Sequence, residues 1–212
     1  MAVGRRPSTY FERRARGEGA VRIAGVDEAG RGCLSGPVVA AAVILDPEAP
    51  LRGVADSKLL PAHVRERLAP RIRERAVAWA VASVDANRID AVNIYQASRL
   101  AMEEAVRMLL PEADYLLVDA MKLESPQPQR AIIKGDLRCR SIAAASILAK
   151  TERDRMMREW HERYPAYNWR SNKGYGTPDH LAALAQYGPT PLHRRSFAPV
   201  AQAVLAAAGA SV

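Results

Sequence analysis

The sequence predicts an α/β fold in which helices cover a mixed sheet. Apolar, strand-like runs come first, at residues 21–27 (VRIAGVD), 38–45 (VVAAAVIL) and 76–84 (AVAWAVASV). Later strand-like runs alternate with helical periodicity, the order of a layered α/β domain. No Pro/Gly/Ser-rich stretch, internal repeat or low-complexity segment divides the 212 residues, which fits one domain over 1–212.

The first 20 residues read as a basic helix or arm. The first 22 residues carry six arginines against two glutamates, so the segment is either a solvated, partly frayed amphipathic helix or an arm that contacts phosphate. Residues 21–27 form a buried strand that runs into a glycine-rich turn, 28–32 (EAGRG), and Gly36-Pro37 marks a second break before the strand at 38–45. Pro61 opens a charged helix with Val64, Leu68 and Ile72 at spacing four. Pro70 falls inside it and predicts a kink or stop near Ala69. A helix over 93–110 follows the third strand, because Ile94, Ala97, Ala101, Ala105 and Met108 recur at three or four. Residues 115–119 (YLLVD) are a short buried strand ending in a carboxylate, and 131–133 a further one. A long helix over 141–163 begins at an N-cap-type serine and a run of small residues, SIAAAS. A last helix begins at Pro199, and 201–212 complete it with a tail.

Composition narrows the function classes. No apolar run is long enough to span a bilayer, and the N-terminal segment lacks the apolar stretch of a secretory signal, so the chain reads as cytoplasmic, without a membrane partner. Cys33 and Cys139 are too few for a disulfide framework or a zinc site. The net charge of +8 favours a polyanionic partner. No G-x-x-x-x-G-K-[ST], G-x-G-x-x-G or H-E-x-x-H is present, which removes P-loop, dinucleotide and zinc-protease readings.

Asp27 and Glu28 stand together at the end of an apolar strand, beside Gly30 and Gly32. Consecutive strand residues face opposite ways, so the pair can share one metal only if the backbone is already turning. Asp119 also closes an uninterrupted apolar run. Ligand crevices in α/β sheets form at strand ends, and three carboxylates there make a hard oxygen site of the kind Mg²⁺ or Mn²⁺ prefers. Ser146, Lys150 and Asp154 are spaced by four and share one helix face, and the small residues before them let that helix lie close to the sheet.

Several segments closely resemble ribonuclease HII: GVDEAGRGCLSGPVVAAAVIL at 25–45, ADSKLL at 55–60, NIYQASRLAM at 93–102, LLVD at 116–119, KGD and SIAAASILAKTERD within 134–154, SNKGYGTPDH at 171–180 and GPTPLHRRSFAPV at 188–200. They fall in one order across nearly the whole chain. The resemblance implies a ribonuclease H-like fold, a five-stranded mixed sheet flanked by helices. It implies a metal-dependent endonuclease that hydrolyses the RNA strand of RNA–DNA hybrids and incises DNA 5′ to embedded ribonucleotides. The products would carry 5′-phosphate and 3′-hydroxyl ends. It places two divalent ions, Mn²⁺ or Mg²⁺, on Asp27, Glu28, Asp119 and Asp154, with Asp136 in KGD competing for the fourth place. It assigns 2′-hydroxyl contacts to the backbone of Gly30, Arg31 and Gly32, and a sugar contact at the RNA–DNA junction to Tyr175. Arg31, Lys58, Lys173 and Arg194 are candidate phosphate contacts. No small-molecule cofactor is implied, and a monomer is expected. Ala120 follows Asp119 where the family often has Gly, a difference of one methyl group. A non-catalytic hybrid-binding module and a resolvase- or transposase-like nuclease are the alternatives. Four retained acids oppose the first, because acids repel phosphate without metal, and the 30–32 segment with Tyr175 opposes the second.

Overall fold

The computed structural model describes residues 7–49, 53–54 and 60–209. Its sheet contains β1 (Ile23–Ala29), β2 (Val38–Leu45), β3 (Ala76–Val84), β4 (Tyr115–Asp119) and β5 (Gln129–Ile132), in the order β3-β2-β1-β4-β5. β1 pairs antiparallel with β2, and β2 with β3, while β4 runs parallel to both β1 and β5. The expected mixed five-stranded sheet is present.

Alternating residues divide the core between the two faces. Ala24, Val26, Ala40, Ala42, Leu116 and Val118 pack under α4 (Ile94–Arg107) together with Ile89 of α3 (Ala86–Val92). Ala41 and Val43 face α2 (Ala62–Arg75) and the long α6 (Arg140–Arg163). Asn93 caps α4 by accepting from the Gln96 amide at 3.0 Å.

The small residues of α6 do what their size suggests. Residues 141–149 are all buried, and a Cβ on Gly25 would stand 2.1 Å from the Ser141 carbonyl carbon. Helix and strand backbones therefore meet at Gly25, where no side chain fits. Ile142, Ile147 and Leu148 anchor the helix, each contributing roughly 1.5–3 kcal/mol by burial.

Two expectations change. α2 runs through Pro70 to Arg75 without stopping near Ala69. Pro70 and Glu66, whose carbonyl loses its helical partner, lie on the exposed face where water takes over. The N-terminal helix α1 (Tyr10–Gly17) is docked, not frayed: Phe11 and Ala15 pack on Leu117, Ile132 and Ile142. Buried Glu12 accepts from the Ser141 amide at 2.8 Å and the Cys139 thiol at 3.3 Å, placing a negative charge at the positive end of α6.

Short helices complete the chain: α5 (Gly135–Arg138), α7 (Trp169–Asn172), α8 (Pro178–Tyr187) and α9 (Ala198–Gly209), with a 3-10 turn at Pro165–Tyr167. No described helix is long and apolar enough to cross a membrane.

Candidate active site

β1 and β4 are parallel neighbours, so their C-terminal ends lie side by side. Their pairing ends at Val26–Val118, one residue before Asp27 on one strand and Asp119 on the other. Ligand oxygens of Asp27, Glu28 and Asp119 lie within 4.8 Å of one another. The expectation that the strand must already have turned at Asp27 is wrong. β1 continues to Ala29, with Asp27 opposite Ala41 and Glu28 opposite Ala40. Beyond Val26, β1 has lost its β4 partner, and the longer Glu28 side chain reaches the cluster past that open edge.

Each acid is held. Asp27 is buried and accepts from the Glu28 amide at 2.8 Å and from the Ser146 hydroxyl of α6. Asp119 accepts from the Gly135 amide at 2.7 Å. Glu28 pairs with the guanidinium of Arg31 at 3.3 Å. Burial, followed by the charges of Glu28 and Asp119, pushes the Asp27 carboxyl well above its ordinary range. Burial and Asp119 push Glu28 upward too, against the pull of Arg31. Like charges forced together out of water hold their protons, unless a cation replaces them.

Asp154 is also buried, but it stands outside this group of three. Its carboxylate takes Arg65 Nη2 at 3.0 Å and Lys150 Nζ at 2.7 Å. Asp136 is buried and accepts from the Leu137 amide at 3.0 Å, and it too lies outside the group.

A groove of about 240 Å³ adjoins the cluster, lined by Glu28, Gly30, Arg31, Gly32, Lys150 and Tyr175, with Ser146 and Ala29. Glu28 thus belongs to both the acid cluster and the groove. At Gly32 no other group comes within 4 Å of where a Cβ would stand, so the backbone there is open to close approach. The Tyr175 ring is 43% exposed and sits 5.8 Å from Lys150 Nζ. Its hydroxyl meets the buried Cys33 thiol. Lys150 and Ser146, noted in the sequence for their shared helix face, prove to line the groove.

Arg194 requires a correction. It is wholly buried and cannot contact phosphate; its guanidinium donates to the carbonyls of Gly30, Arg31 and Gly36 at 2.7, 2.9 and 3.0 Å. Lys173 is half-buried, with its ammonium on the Arg170 carbonyl, and burial lowers its pKa. Lys58 lies outside the described residues. Ala120 has φ +48°, a left-handed conformation that favours glycine, so the alanine there costs backbone strain as well as a methyl group.

A five-stranded mixed sheet with carboxylates converging at adjacent strand ends, crossed closely by one long helix, defines a ribonuclease H-like α/β protein. The family model for Ribonuclease HII matches residues 24–200. Ribonuclease HII of Solibacter usitatus (strain Ellin6076) is 61% identical over 190 residues, covering 90% of this chain and 83% of that protein. Ribonuclease HII of Enterococcus faecalis is 53% identical over 192 residues, covering 91% and 75%. Among solved structures, ribonuclease H2 from Pyrococcus horikoshii OT3 is similar with a TM-score of 0.75 at 26% identity, covering 86% of this chain and 97% of that one. RNase HII from Archaeoglobus fulgidus, solved in complex with PCNA, gives 0.68 at 30% identity, covering 82% and 92%. The chain belongs to the ribonuclease HII family. It is an endoribonuclease of the ribonuclease H type, which hydrolyses RNA in RNA–DNA hybrids.

Proposed function

We propose that the enzyme also incises duplex DNA 5′ to single embedded ribonucleotides, leaving 3′-hydroxyl and 5′-phosphate ends, and that two divalent cations, Mg²⁺ or Mn²⁺, support the hydrolysis. The observation that carries this reading is the position of Glu28, which belongs at once to the three-carboxylate cluster and to the groove bounded by Gly30, Arg31, Gly32 and Tyr175. A cleaving centre and a ribose-reading surface are therefore one continuous site.

The donor set fits the ions. Three carboxylates within 4.8 Å, two of them with pKa values raised by burial and neighbouring negative charge, are hard oxygen ligands. Asp27, Glu28 and Asp119 would hold the cations, and Asp154 would complete the set after exchanging Lys150 or Arg65 as its partner. When bound, the ions supply neutralisation of the phosphodiester and activation of water.

The chain's own residues do the rest. Ser146 and Gly135 fix the orientations of Asp27 and Asp119. Tyr175 presents a partly exposed ring on which a sugar would pack, with Lys150 beside it to attract the backbone phosphate. The open backbone at Gly32 admits a 2′-hydroxyl, the group that separates ribose from deoxyribose.

The test is a DNA duplex with one ribonucleotide, incubated with and without Mg²⁺ or Mn²⁺. A single metal-dependent cut on the 5′ side of the ribonucleotide is expected. Cleavage of an all-DNA duplex at the same rate, or an intact ribonucleotide duplex, would overturn the reading.

A further inference from the structure

Two wholly buried arginines lie beneath the groove, and among the described residues neither forms an ion pair with a carboxylate. Arg153 Nε, Nη1 and Nη2 donate to the carbonyls of Pro37 at 3.0 Å, Lys173 at 2.8 Å and Ser35 at 3.0 Å. Arg194 takes the carbonyls of Gly36, Arg31 and Gly30. Burying a guanidinium is costly unless its donors are satisfied, and here every donor group is met by backbone carbonyls of the surrounding loops. Two such groups under one loop point to a demand made by the loop.

We infer that Arg153 and Arg194 are positioning residues for ribose recognition, holding the 30–32 loop and the loop that carries Tyr175 in one fixed relation, with loop amides turned to the groove. This rests on the proposed reading of those two loops as ribose contacts.

The geometry follows from the planar trans peptide, whose N–H and C=O point in opposite directions. Arg194 draws the Gly30 and Arg31 carbonyls inward. The amides that share those peptide units belong to Arg31 and Gly32, so both point away from Arg194, toward the side where these residues line the groove. Two successive amides facing one way make a concavity for a ligand oxygen.

Arg153 ties this loop to the opposite wall. Its guanidinium lies against Gly30, where a Cβ would stand 2.0 Å from Nε. The same fork reaches Lys173, two residues before Tyr175, and the Leu34 amide donates to the Gly174 carbonyl at 2.8 Å. Arg153 adjoins Asp154 on α6, so the helix bearing the candidate fourth carboxylate also sets both walls. A lysine is a point charge without the planar fork and cannot span the three carbonyls.

Two measurements on wild type, Arg153→Lys, Arg194→Lys and Tyr175→Ala test this. The first is backbone hydrogen exchange. The second is the binding preference for a duplex with one ribonucleotide over an all-DNA duplex, in Ca²⁺. Arg194→Lys is expected to speed exchange at Leu34, whose amide bonds the Gly174 carbonyl across the two loops, and to cut the preference by about tenfold. Arg153→Lys should do the same and also speed exchange at 173–175. Lost packing alone would lower melting temperature without changing the preference of the folded fraction. If Arg153→Lys fails to fold, Arg194→Lys decides. Unchanged exchange at Leu34, or a preserved preference in variants of a wild type that shows one, overturns the inference. If wild type shows no preference and Tyr175→Ala changes nothing, the ribose reading is what has failed.

Discussion

The two sides of the groove bury charge in opposite ways. On one side Asp27, Glu28 and Asp119 crowd carboxylates together, and burial with mutual repulsion raises the pKa of the first two. On the other, Arg153 and Arg194 bury two cations whose guanidinium groups are met by six backbone carbonyls. Crowded acids gain from a nearby cation, because a positive charge offsets their mutual repulsion. The basic side is already satisfied and gains only rigidity.

The contrast is broken most sharply at the acid side. Asp119→Asn keeps the shape of the side chain and removes its charge. It is expected to lower the cleavage rate by more than about 100-fold, the upper end for losing an outer partner of a metal ligand, with the fold and hybrid binding retained. Initial rates at saturating Mn²⁺ check this. Wild-type-like turnover would remove Asp119 from the site.

On the basic side, Arg194→Met should cost stability instead. It leaves the carbonyls of Gly30, Arg31 and Gly36 without their donor, a loss of roughly 3–5 kcal/mol measured by denaturant unfolding. A loss below about 1 kcal/mol would mean that water replaces the guanidinium there.

Behind the Tyr175 loop a third arrangement responds to pH. The Thr190 amide donates to His193 Nδ1 at 3.0 Å, so His193 Nε2 carries the proton shared with His180 Nε2 at 3.1 Å. His180 Nδ1 then donates to the Tyr175 carbonyl at 2.8 Å. Burial, then His180, lowers the His193 pKa to about 3. Burial also lowers His180. A histidine whose folded-state pKa is depressed takes up its proton more readily when unfolded. Stability contributed by the neutral pair is complete above the unfolded value near 6.5 and is lost as pH falls from there toward 3. Melting temperature should fall across that window in wild type and fall less in His193→Gln. Parallel curves would show that carboxylates, not this pair, govern the acid limb.

The smallest effect concerns Ala120, left-handed beside Asp119. Ala120→Gly is expected to stabilise by up to about 1 kcal/mol, relief of strain being partly offset by a more flexible unfolded chain. Thermal unfolding checks it, and a destabilised variant would show that the methyl packs usefully.

The acid side was legible because apolar strands that end in acids are conspicuous, and Asp27, Glu28 and Asp119 met where strand ends meet. That Tyr175 and the 30–32 segment come together in one groove had no local signal in the sequence, since a tyrosine in a loop carries none of its own; only the family resemblance pointed to them. Arg153 went unnoticed because an arginine within a charged stretch reads as solvated. It nonetheless sits in a stripe at spacing four, Ala145, Ala149, Arg153 and Met157, every member of which is buried. A cation inside an apolar stripe is the pattern that could have exposed it. Helix α8 also carried its signals, Pro178 at the start and Gly188 just past the end. The open edge of β1 beyond Val26 depends on where β4 stops pairing, a long-range fact that no local pattern encodes.

The claim that the acid side is strained until a cation fills it is tested most directly by melting wild type and Asp27→Asn with and without Mn²⁺ at pH 7. A carboxyl whose folded-state pKa is raised destabilises the fold as pH climbs above its unfolded value, so Asp27 costs stability at pH 7 in the absence of metal. Without Mn²⁺, Asp27→Asn should therefore melt higher than wild type, by roughly 2–4 °C for each kcal/mol relieved. With Mn²⁺, wild type should rise and the variant should not. A variant that melts lower than wild type without metal, or that gains as much from Mn²⁺, would contradict the account.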